Sequence, residues 1–574
     1  MTRTNGAVSP TAAWDALHQV VESNIDPLGM TVPIMHAQLA WLMHPQELSE
    51  AVADYAGKML ALQWHSWRRV LGVPSEDVER PNPGDTRFAD TVWSDSAGWD
   101  VVKEWYLLCT RHIQDMLYGT PGLSSQERRR AAFWWRKWLN AMAPTNFLMT
   151  NPVAMRKLAE TNGDSLVRGF RNFLADLQAG TVRMTNPDDF QVGKNLATTS
   201  GKVIYRNRLL EVIHYAPTQA KVHSVPLVIV TPWINKFYIL DINPRKSLVR
   251  YLVDQGFDVY ITSWKNPGED MRNTGFDDYL TEGIGRLVEV ARATSGSPKV
   301  NAVGYCIGGS ALAMYMAWAN RHYPAKNVPV ASATFFTTLV DFHKPGDIEV
   351  FLDEGSYNFL AKSMDRKGYL DGMEMASAFR LLRSNSLIWH YVVHGYLYGE
   401  TPPPFDVLYW NMDTTRMPAA MHKWYLRELY LDNALIKKDA LTVAGEPLSL
   451  ERIVQPVYAV AAADDHIAPW RQTFRLNNQV AGSKRFVLSS SGHVLGILNP
   501  PVHPPKREYW VAAVERHDTT ESWREHATHA LGSWWEDWMK WLKPMSGRTI
   551  RPPPVATPAY PALVDAPGTY VLER

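Results

Sequence analysis

The hexapeptide Gly-Tyr-Cys-Ile-Gly-Gly at residues 304–309 is the feature that most limits what this chain can form. An apolar, strand-like run at 299–303 precedes it, and a helix-like run at 311–318 follows it. Strand, turn and helix in that order are the setting of a nucleophile elbow, here with Cys306 at the position that is more often serine. Such a turn strains its central residue, and side chains in place of the flanking glycines would clash where strand and helix meet. The alternative is an ordinary glycine-rich turn around a buried cysteine.

A candidate acid and a candidate base follow the elbow in the chain. Asp465 comes after the apolar run 457–461, and His493 comes after a second short apolar run at 485–488. The order Cys306, Asp465, His493 is the nucleophile–acid–base order of the α/β-hydrolase fold. The sequence therefore predicts an α/β protein with this fold and a triad of these three residues.

Asp464 and His466 compete with these candidates. We favour Asp465 because it lies four residues before Pro469, the spacing that hydrolase acids often show. His466 is interpreted as an ordinary loop or core histidine, since the chain contains 18 histidines. His493 stands out because a glycine precedes it at the end of a strand-like run.

An oxyanion hole needs two backbone N–H donors, one from the residue after the nucleophile and one from an earlier loop. The first would be Ile307. For the second, the loop after the apolar strand 227–230 offers Trp233 or Ile234. A plain strand-to-helix loop remains an alternative for each of these residues.

The pattern along the chain predicts two domains. Residues 1–190 read as a mainly helical N-terminal domain, and residues 191–574 read as the catalytic domain, in which strands alternate with helices in the manner of a mostly parallel sheet. The long interval between Cys306 and Asp465 breaks this alternation, which predicts an inserted cap at about 343–446. The proline-rich tail after Lys543 is expected to be extended rather than packed.

Composition excludes several classes of protein. The formal net charge is +1, which gives no electrostatic reason to expect nucleic acid as a partner. Two cysteines make a disulfide framework implausible and suit a reducing cytoplasm. Residues 1–6 show no signal peptide, and no apolar run is long enough for a membrane-spanning helix. No metal-ligand cluster is evident along the chain, so no metal site is expected.

The chain contains 23 tryptophans, an unusual number. Core packing is one interpretation, and location at the boundary between an apolar phase and water is the other. Both remain open for the two groups in which the tryptophans concentrate: Trp64, Trp67, Trp93, Trp99, Trp105, Trp134, Trp135 and Trp138, and Trp523, Trp534, Trp535, Trp538 and Trp541.

Several stretches from about residue 85 to the end resemble the polyhydroxyalkanoate synthases, particularly the class I type. One departure is Trp233, where the resemblance would lead us to expect a smaller residue. The elbow together with the motifs Asp-His-Ile-x-Pro-Trp and Asn-Lys-x-Tyr-Ile-Leu-Asp is highly specific for this family. The resembling stretches are residues 146–152, 232–241, 304–309, 401–406, 465–470, 491–493 and 532–535.

The resemblance implies that the chain polymerises (R)-3-hydroxyacyl-CoA, mainly short-chain substrates, into a polyester with release of CoA. Cys306 would carry the acyl group as a thioester, His493 would act as base, and Asp465 would orient His493 or help to activate the hydroxyl. It also implies a homodimer at the surface of cytoplasmic polyester granules, with the growing polyester chain as a further partner. CoA belongs to the substrate, so no separate cofactor is implied.

Two other functions remain open at this point. A cysteine elbow also suits an esterase or polyester depolymerase, which would release acid rather than build polymer. A scaffold at the granule surface that has kept the fold without activity is the second alternative, although the intact set of Cys306, Asp465 and His493 argues against it.

Overall fold

The structure is a computed structural model that describes residue 26 and residues 28–574. The prediction that residues 1–6 carry no signal peptide, and the helical prediction for the first 25 residues, lie outside the described residues. The chain divides into two compact units. Of the described residues, the helical unit comprises those up to 186 with 353–359 and 377–404, and the catalytic unit comprises 187–352, 360–376 and 405–574.

Helices build most of the helical unit, which agrees with the prediction for the N-terminal region. The helix Ser125–Ala141 begins with a capping box, in which Ser124 and Glu127 each bond the other's backbone N–H. No helix in the described part of the chain is long and apolar enough to cross a membrane. The longer N-terminal helices are α1 (Val32–Met43), α2 (Pro45–Val70), α3 (Ala97–Gly119), α4 (Ser125–Ala141), α5 (Pro152–Glu160) and α6 (Asp164–Ala179).

Two segments of the predicted cap, 353–359 and 377–404, belong to the helical unit. Lys137 Nζ of α4 donates a hydrogen bond to the carbonyl of Leu382 at 3.0 Å. A Cβ atom on Gly169 of α6 would lie 1.9 Å from the carbonyl oxygen of Tyr396, so the two backbones are in direct contact. These contacts attach the two segments to helices α4 and α6, and the predicted bounds of the cap, about 343–446, stay a prediction.

One sheet of 11 strands organises the catalytic unit. Its order is β10-β9-β8-β7-β6-β5-β3-β4-β2-β1-β11. The strands are β1 (Gly201–Arg206), β2 (Leu210–Tyr215), β3 (Leu227–Val230), β4 (Val259–Trp264), β5 (Val300–Tyr305), β6 (Val330–Phe336), β7 (Val457–Ala462), β8 (Lys484–Ser489), β9 (Glu508–Ala513), β10 (Thr528–Leu531) and β11 (Val564–Asp565).

The central strands β4, β3, β5, β6, β7 and β8 pair in parallel, and the outer strands pair antiparallel. Every residue of β3, β5 and β7 is buried, which is the pattern of strands covered on both faces. The predicted α/β-hydrolase fold is confirmed. Because the central strands are parallel, the loops that follow β3, β5, β7 and β8 meet at one edge of the sheet.

Helices connect these strands and form the insertion between β6 and β7. The helix α13 continues directly into a further helical segment, Tyr425–Leu431. Helices α10 and α11 cross the boundary between the two units. The helices are α7 (Leu248–Asp254), α8 (Arg286–Ser295), α9 (Ile307–His322), α10 (Glu354–Lys367), α11 (Gly372–Leu382), α12 (Asp406–Met412), α13 (Ala419–Trp424), α14 (Trp470–Phe474), α15 (Thr520–His526) and α16 (Trp534–Leu542).

The two groups of tryptophans have different environments. Trp534, Trp535 and Trp538 of α16 are fully buried, and their indole N–H groups donate to Gly496 O, Ile497 O and Thr334 Oγ1. These residues are core residues of the catalytic unit. In the helical unit, Trp93 and Trp134 are buried, whereas four tryptophans are exposed: Trp64, Trp67, Trp105 and Trp138.

The prediction that the tail after Lys543 does not pack is wrong. Its strand β11 pairs with β1, so that Val564 lies opposite Val203. The fully buried carboxylate of Glu211 accepts hydrogen bonds from the backbone N–H groups of Thr569 and Tyr570. A buried carboxylate needs such donors, and only the tertiary fold brings the tail to it.

We expect the substitution Gly304→Ala to destabilise the catalytic unit. The added Cβ would lie 2.5 Å from Gly309 Cα, and backbone cannot move aside as a flexible side chain can. Overpacking of this kind typically costs about 1–3 kcal/mol. Gly57→Ala is the control, since it has open space within helix α2 and should leave stability unchanged or raise it by about 1 kcal/mol. Thermal unfolding measures both, and an unchanged Tm for Gly304→Ala would contradict the steric argument.

Candidate active site

Cys306 lies on the turn between β5 and α9 with a strained backbone. Its φ is 54° and its ψ is −126°, a region that residues with a side chain rarely adopt. Its N–H donates to the carbonyl of Phe336 at the end of β6, and its own carbonyl accepts from the N–H groups of Gly309 and Ser310. These bonds attach the turn to the neighbouring strand and to the first turn of α9. The nucleophile elbow predicted from the sequence therefore has the expected backbone.

The glycines allow this elbow to pack closely. A Cβ on Gly304 would meet Gly309, and a Cβ on Gly308 would lie 2.5 Å from the carbonyl oxygen of Val230. The N-terminus of α9 thus rests directly on the backbone of β3 and β5. Side chains at Gly304 and Gly308 would therefore clash with neighbouring backbone, as the sequence predicts.

Asp465 and His493 lie together at the same edge of the sheet. His493 Nδ1 is hydrogen-bonded to Asp465 Oδ2 at 2.7 Å. The other oxygen of Asp465 accepts the N–H groups of Ile467 and Ala468, each at 2.8 Å, so the carboxylate is held in place. Asp464 is exposed, and the structure brings Asp465 to His493 instead.

The three predicted residues interact electrostatically. Burial alone would lower the pKa of His493, but the negative charges of Asp465 and Cys306, with a hydrogen bond to each, raise it well above its usual value. Since Nδ1 bonds Asp465, Nε2 is the nitrogen left for the thiol of Cys306. The arrangement favours a protonated imidazole beside the sulfur of Cys306.

The candidate oxyanion donors lie on the loops that flank the elbow. Ile307 is the first residue of α9, where backbone N–H groups have no partner within the helix. Thr415 Oγ1 donates to the carbonyls of Trp233 at 2.7 Å and Ile234 at 2.6 Å. In a trans peptide the N–H of Ile234 points away from the carbonyl of Trp233, and therefore away from Thr415. The oxyanion roles of Ile307, Ile234 and Trp233 stay predictions.

The side chain of Trp233, the one departure from the resemblance, is buried in an aromatic group of the core. Its ring packs within 6.2 Å, between centroids, of Trp264, Phe276 and Tyr279. Its bulk therefore fills the core beside the loop.

Three tyrosines near the site were missed by the sequence argument. The ring of Tyr305 stacks on His493 with centroids 5.7 Å apart. Tyr425 Oη donates to Tyr430 Oη at 3.0 Å, and burial first, with the charge of Cys306 in addition, raises the pKa of both phenols. Tyr305 could have been noticed as the neighbour of Cys306. Tyr425 and Tyr430 gave no signal because only the fold brings the insertion to the thiol.

Two family profiles match the chain. Residues 84–252 match the family described as the N-terminus of poly-beta-hydroxybutyrate polymerase (PhaC), and residues 226–500 match the alpha/beta hydrolase fold. Among solved structures, a putative hydrolase from Agrobacterium vitis S4 is similar with a TM-score of 0.32 and 13% identity, over 52% of this chain and 92% of that one.

Curated proteins are similar over nearly the full length. Poly(3-hydroxyalkanoate) polymerase from Methylorubrum extorquens is 40% identical over 570 residues, which cover 99% of this chain and 92% of that protein. Poly(3-hydroxyalkanoate) polymerase subunit PhaC from Rhizobium meliloti (strain 1021) is 38% identical over 93% of this chain and 87% of that protein. With the α/β-hydrolase fold and the cysteine elbow, this similarity shows that the chain belongs to the poly(3-hydroxyalkanoate) polymerase family.

Proposed function

We propose that this chain polymerises (R)-3-hydroxyacyl groups from CoA thioesters into polyhydroxyalkanoate, with Cys306 as the nucleophile, His493 as the base and Asp465 as its partner. The observation that carries the proposal is the strained elbow of Cys306 beside the hydrogen-bonded pair of His493 and Asp465. It occurs in a chain that is 40% identical to a poly(3-hydroxyalkanoate) polymerase.

In the first step the thiolate of Cys306 attacks the thioester carbonyl of the substrate. A bond forms between Sγ and the acyl carbon, the bond from that carbon to the CoA sulfur breaks, and His493 gives its proton to the departing CoA thiolate. One thioester replaces another, so the exchange costs little free energy. His493, held by Asp465, accepts the proton of the Cys306 thiol and so activates the sulfur for attack.

In the second step a 3-hydroxyl group attacks the acyl-Cys306 thioester. His493 accepts the hydroxyl proton, an ester bond forms, and Cys306 leaves as thiolate, so each added unit releases one CoA. Asp465 holds the imidazole in the tautomer that this proton transfer needs. Tyr305 stacks on His493, and the charge of Cys306 acts on the buried phenols of Tyr425 and Tyr430. We infer that these rings restrict water near the thiol, which would favour transfer over hydrolysis.

The proposed substrates are short-chain 3-hydroxyacyl-CoAs such as 3-hydroxybutyryl-CoA. The basis is the resemblance to the class I type, whose single chain carries the activity. One methylene in an apolar pocket changes discrimination by only about 1–3 kcal/mol, so the preference is expected to be graded. A higher kcat/KM for 3-hydroxydecanoyl-CoA than for 3-hydroxybutyryl-CoA would contradict the chain-length class without affecting the reaction type.

The proposed place of action is the surface of cytoplasmic polyester granules. Support comes from exposed apolar side chains on helix α2, where Leu60, Trp64 and Trp67 follow one another at helical spacing. Trp105 of α3 is also half exposed. The proposed active form is a homodimer, an inference from the family, and sedimentation with and without substrate measures it.

The function is tested by supplying 3-hydroxybutyryl-CoA and following free CoA thiol and turbidity together. We expect both signals to rise for the wild type and neither to rise for Cys306→Ala, because no other side chain at the site can carry the acyl group. Cys109→Ala is the matched control: Cys109 lies in the helical unit, 3.1 Å from Tyr55 Oη, and its loss should leave activity unchanged. Free CoA with released 3-hydroxy acid and no turbidity would favour a hydrolase, and the absence of both in the wild type would favour a scaffold.

Asp465→Asn should strongly reduce turnover, whereas Asp464→Asn should have little effect. An asparagine at 465 favours the wrong tautomer of His493, and the corresponding change in a serine-type triad costs about 10⁴ in rate. Asp464 is exposed and serves as the control at the adjacent position. Steady-state CoA release measures both variants, and equal losses would refute the assignment of the acid.

The charge on His493 should also make stability depend on pH. The pKa of His493 is raised in the folded protein, so its stabilising effect is fully present below the ordinary histidine pKa of about 6.5 and is lost as pH rises through the raised value. The difference in Tm between wild type and His493→Gln should therefore be larger at pH 6 than at pH 10. A difference that stays the same at both pH values would show that the pKa of His493 is not raised in the folded protein.

A further inference from the structure

Four side chains of the helical unit converge on one point. His65 lies on α2, Asp100 and Glu104 lie one turn apart on α3, and Asp77 lies on the segment between these helices. One ligating atom from each lies within 4.8 Å of the others. His65, Asp100 and Glu104 are almost completely buried, whereas Asp77 is exposed. The four residues have no metal-binding spacing along the chain, so sequence analysis did not detect this group.

Each of the three buried side chains has one polar atom held and the other turned to the shared centre. His65 Nδ1 is bonded to Ser75 Oγ at 3.0 Å, and Asp100 Oδ1 accepts from Lys103 Nζ at 2.7 Å. Glu104 Oε2 accepts from the N–H of Val78 at 2.8 Å. His65 Nε2, Asp100 Oδ2 and Glu104 Oε1 are left facing one another. Metal ligands are commonly oriented in this way by partners on their far atoms.

The missing hydrogen-bond partner of Glu104 Oε1 is an independent observation that points to a ligand. Glu104 is 0% exposed, and this oxygen accepts no hydrogen bond from any residue in the described part of the chain. His65 Nε2 lies 3.3 Å away but is bonded to Asp100, and one N–H cannot serve both oxygens well. A buried oxygen without a partner is costly and calls for a ligand.

The distances match those of a metal shell. Zn²⁺ lies about 2.0–2.2 Å from nitrogen and oxygen ligands, so neighbouring ligands in a tetrahedral or octahedral shell are about 3.0–3.5 Å apart. His65 Nε2 is 3.1 Å from Asp100 Oδ2 and 3.3 Å from Glu104 Oε1. Arg69 Nε, 3.2 Å from the same oxygen of Asp100, is the cation that competes for it, and its side chain is 30% exposed, which leaves it room to turn outward.

We propose that His65, Asp100 and Glu104, with Asp77 on the solvent side, bind a divalent transition-metal ion, Zn²⁺ or Mn²⁺. An imidazole nitrogen with carboxylate oxygens suits these ions better than Mg²⁺ or Ca²⁺, which prefer oxygen alone. The bound ion would tie α2, α3 and the segment between them together. Its role is structural, and the proposal does not depend on the polymerase activity.

The test uses the full-length protein after treatment with a chelator. Addition of ZnCl₂ or MnCl₂ should give one bound ion per chain by equilibrium dialysis and elemental analysis, with a rise in Tm because the ion binds the folded state. MgCl₂ at the same concentration should give a smaller rise. Co²⁺ should show the visible absorption of a site that includes nitrogen. If the protein binds no stoichiometric ion at saturating ZnCl₂ or MnCl₂, the proposal is overturned. A rise in Tm with MgCl₂ equal to that with ZnCl₂ or MnCl₂ would also overturn it.

Three variants separate a metal site from a buried ion network. Glu104→Gln keeps the shape of the side chain and should weaken binding at least tenfold. Asp77→Asn changes an exposed residue, so it remains informative if a buried variant does not fold, and it too should weaken binding. Glu79→Gln is the matched control, because the neighbouring carboxylate of Glu79 pairs with Arg111. The metal-ion affinity of this variant should equal that of the wild type. Unchanged ion affinity in both Glu104→Gln and Asp77→Asn overturns the assignment.

Discussion

The contact between the backbone of β5 and the first turn of α9 is the constraint on which the catalytic unit depends. Gly304 and Gly309 touch where strand and helix meet, and Gly308 rests on the end of β3. This packing forces Cys306 into positive φ, a strain of the order of 1–3 kcal/mol that the surrounding buried sheet maintains. The result is a thiol on a rigid turn at the edge of the sheet, with its side chain free of the backbone on either side.

The parallel centre of the sheet brings the other two residues to that thiol. The strands β5, β7 and β8 end at one edge, so Asp465 and His493 meet Cys306 although long stretches of chain separate them. The backbone N–H groups of Ile467 and Ala468 hold the carboxylate, and the carboxylate holds the imidazole. The charges of Asp465 and Cys306 then raise the pKa of His493, which favours a positively charged imidazole beside the sulfur.

The two units use aromatic residues in different ways. In α16, Trp534, Trp535 and Trp538 complete the core beneath the sheet and satisfy their indole N–H groups there. In the helical unit, Trp64 and Trp67 remain at the surface of α2, while polar side chains such as His65 and Glu104 are buried. The helical unit therefore has exposed aromatic side chains on its surface and a buried polar group, the proposed metal site, in its interior.

The sequence by itself determined the elbow, the order of the triad, the parallel strands and the helical N-terminal region, because glycine sterics and apolar runs act over a few neighbouring residues. It could not determine which residues meet from distant parts of the chain. Tyr425 and Tyr430 near the thiol, β11 against β1, the placement of segments 353–359 and 377–404 with the helices, and the group around Glu104 all depend on such meetings. Only the tertiary structure decided them, because a buried polar atom or an unpaired strand edge accepts any partner of suitable chemistry that the fold brings within reach.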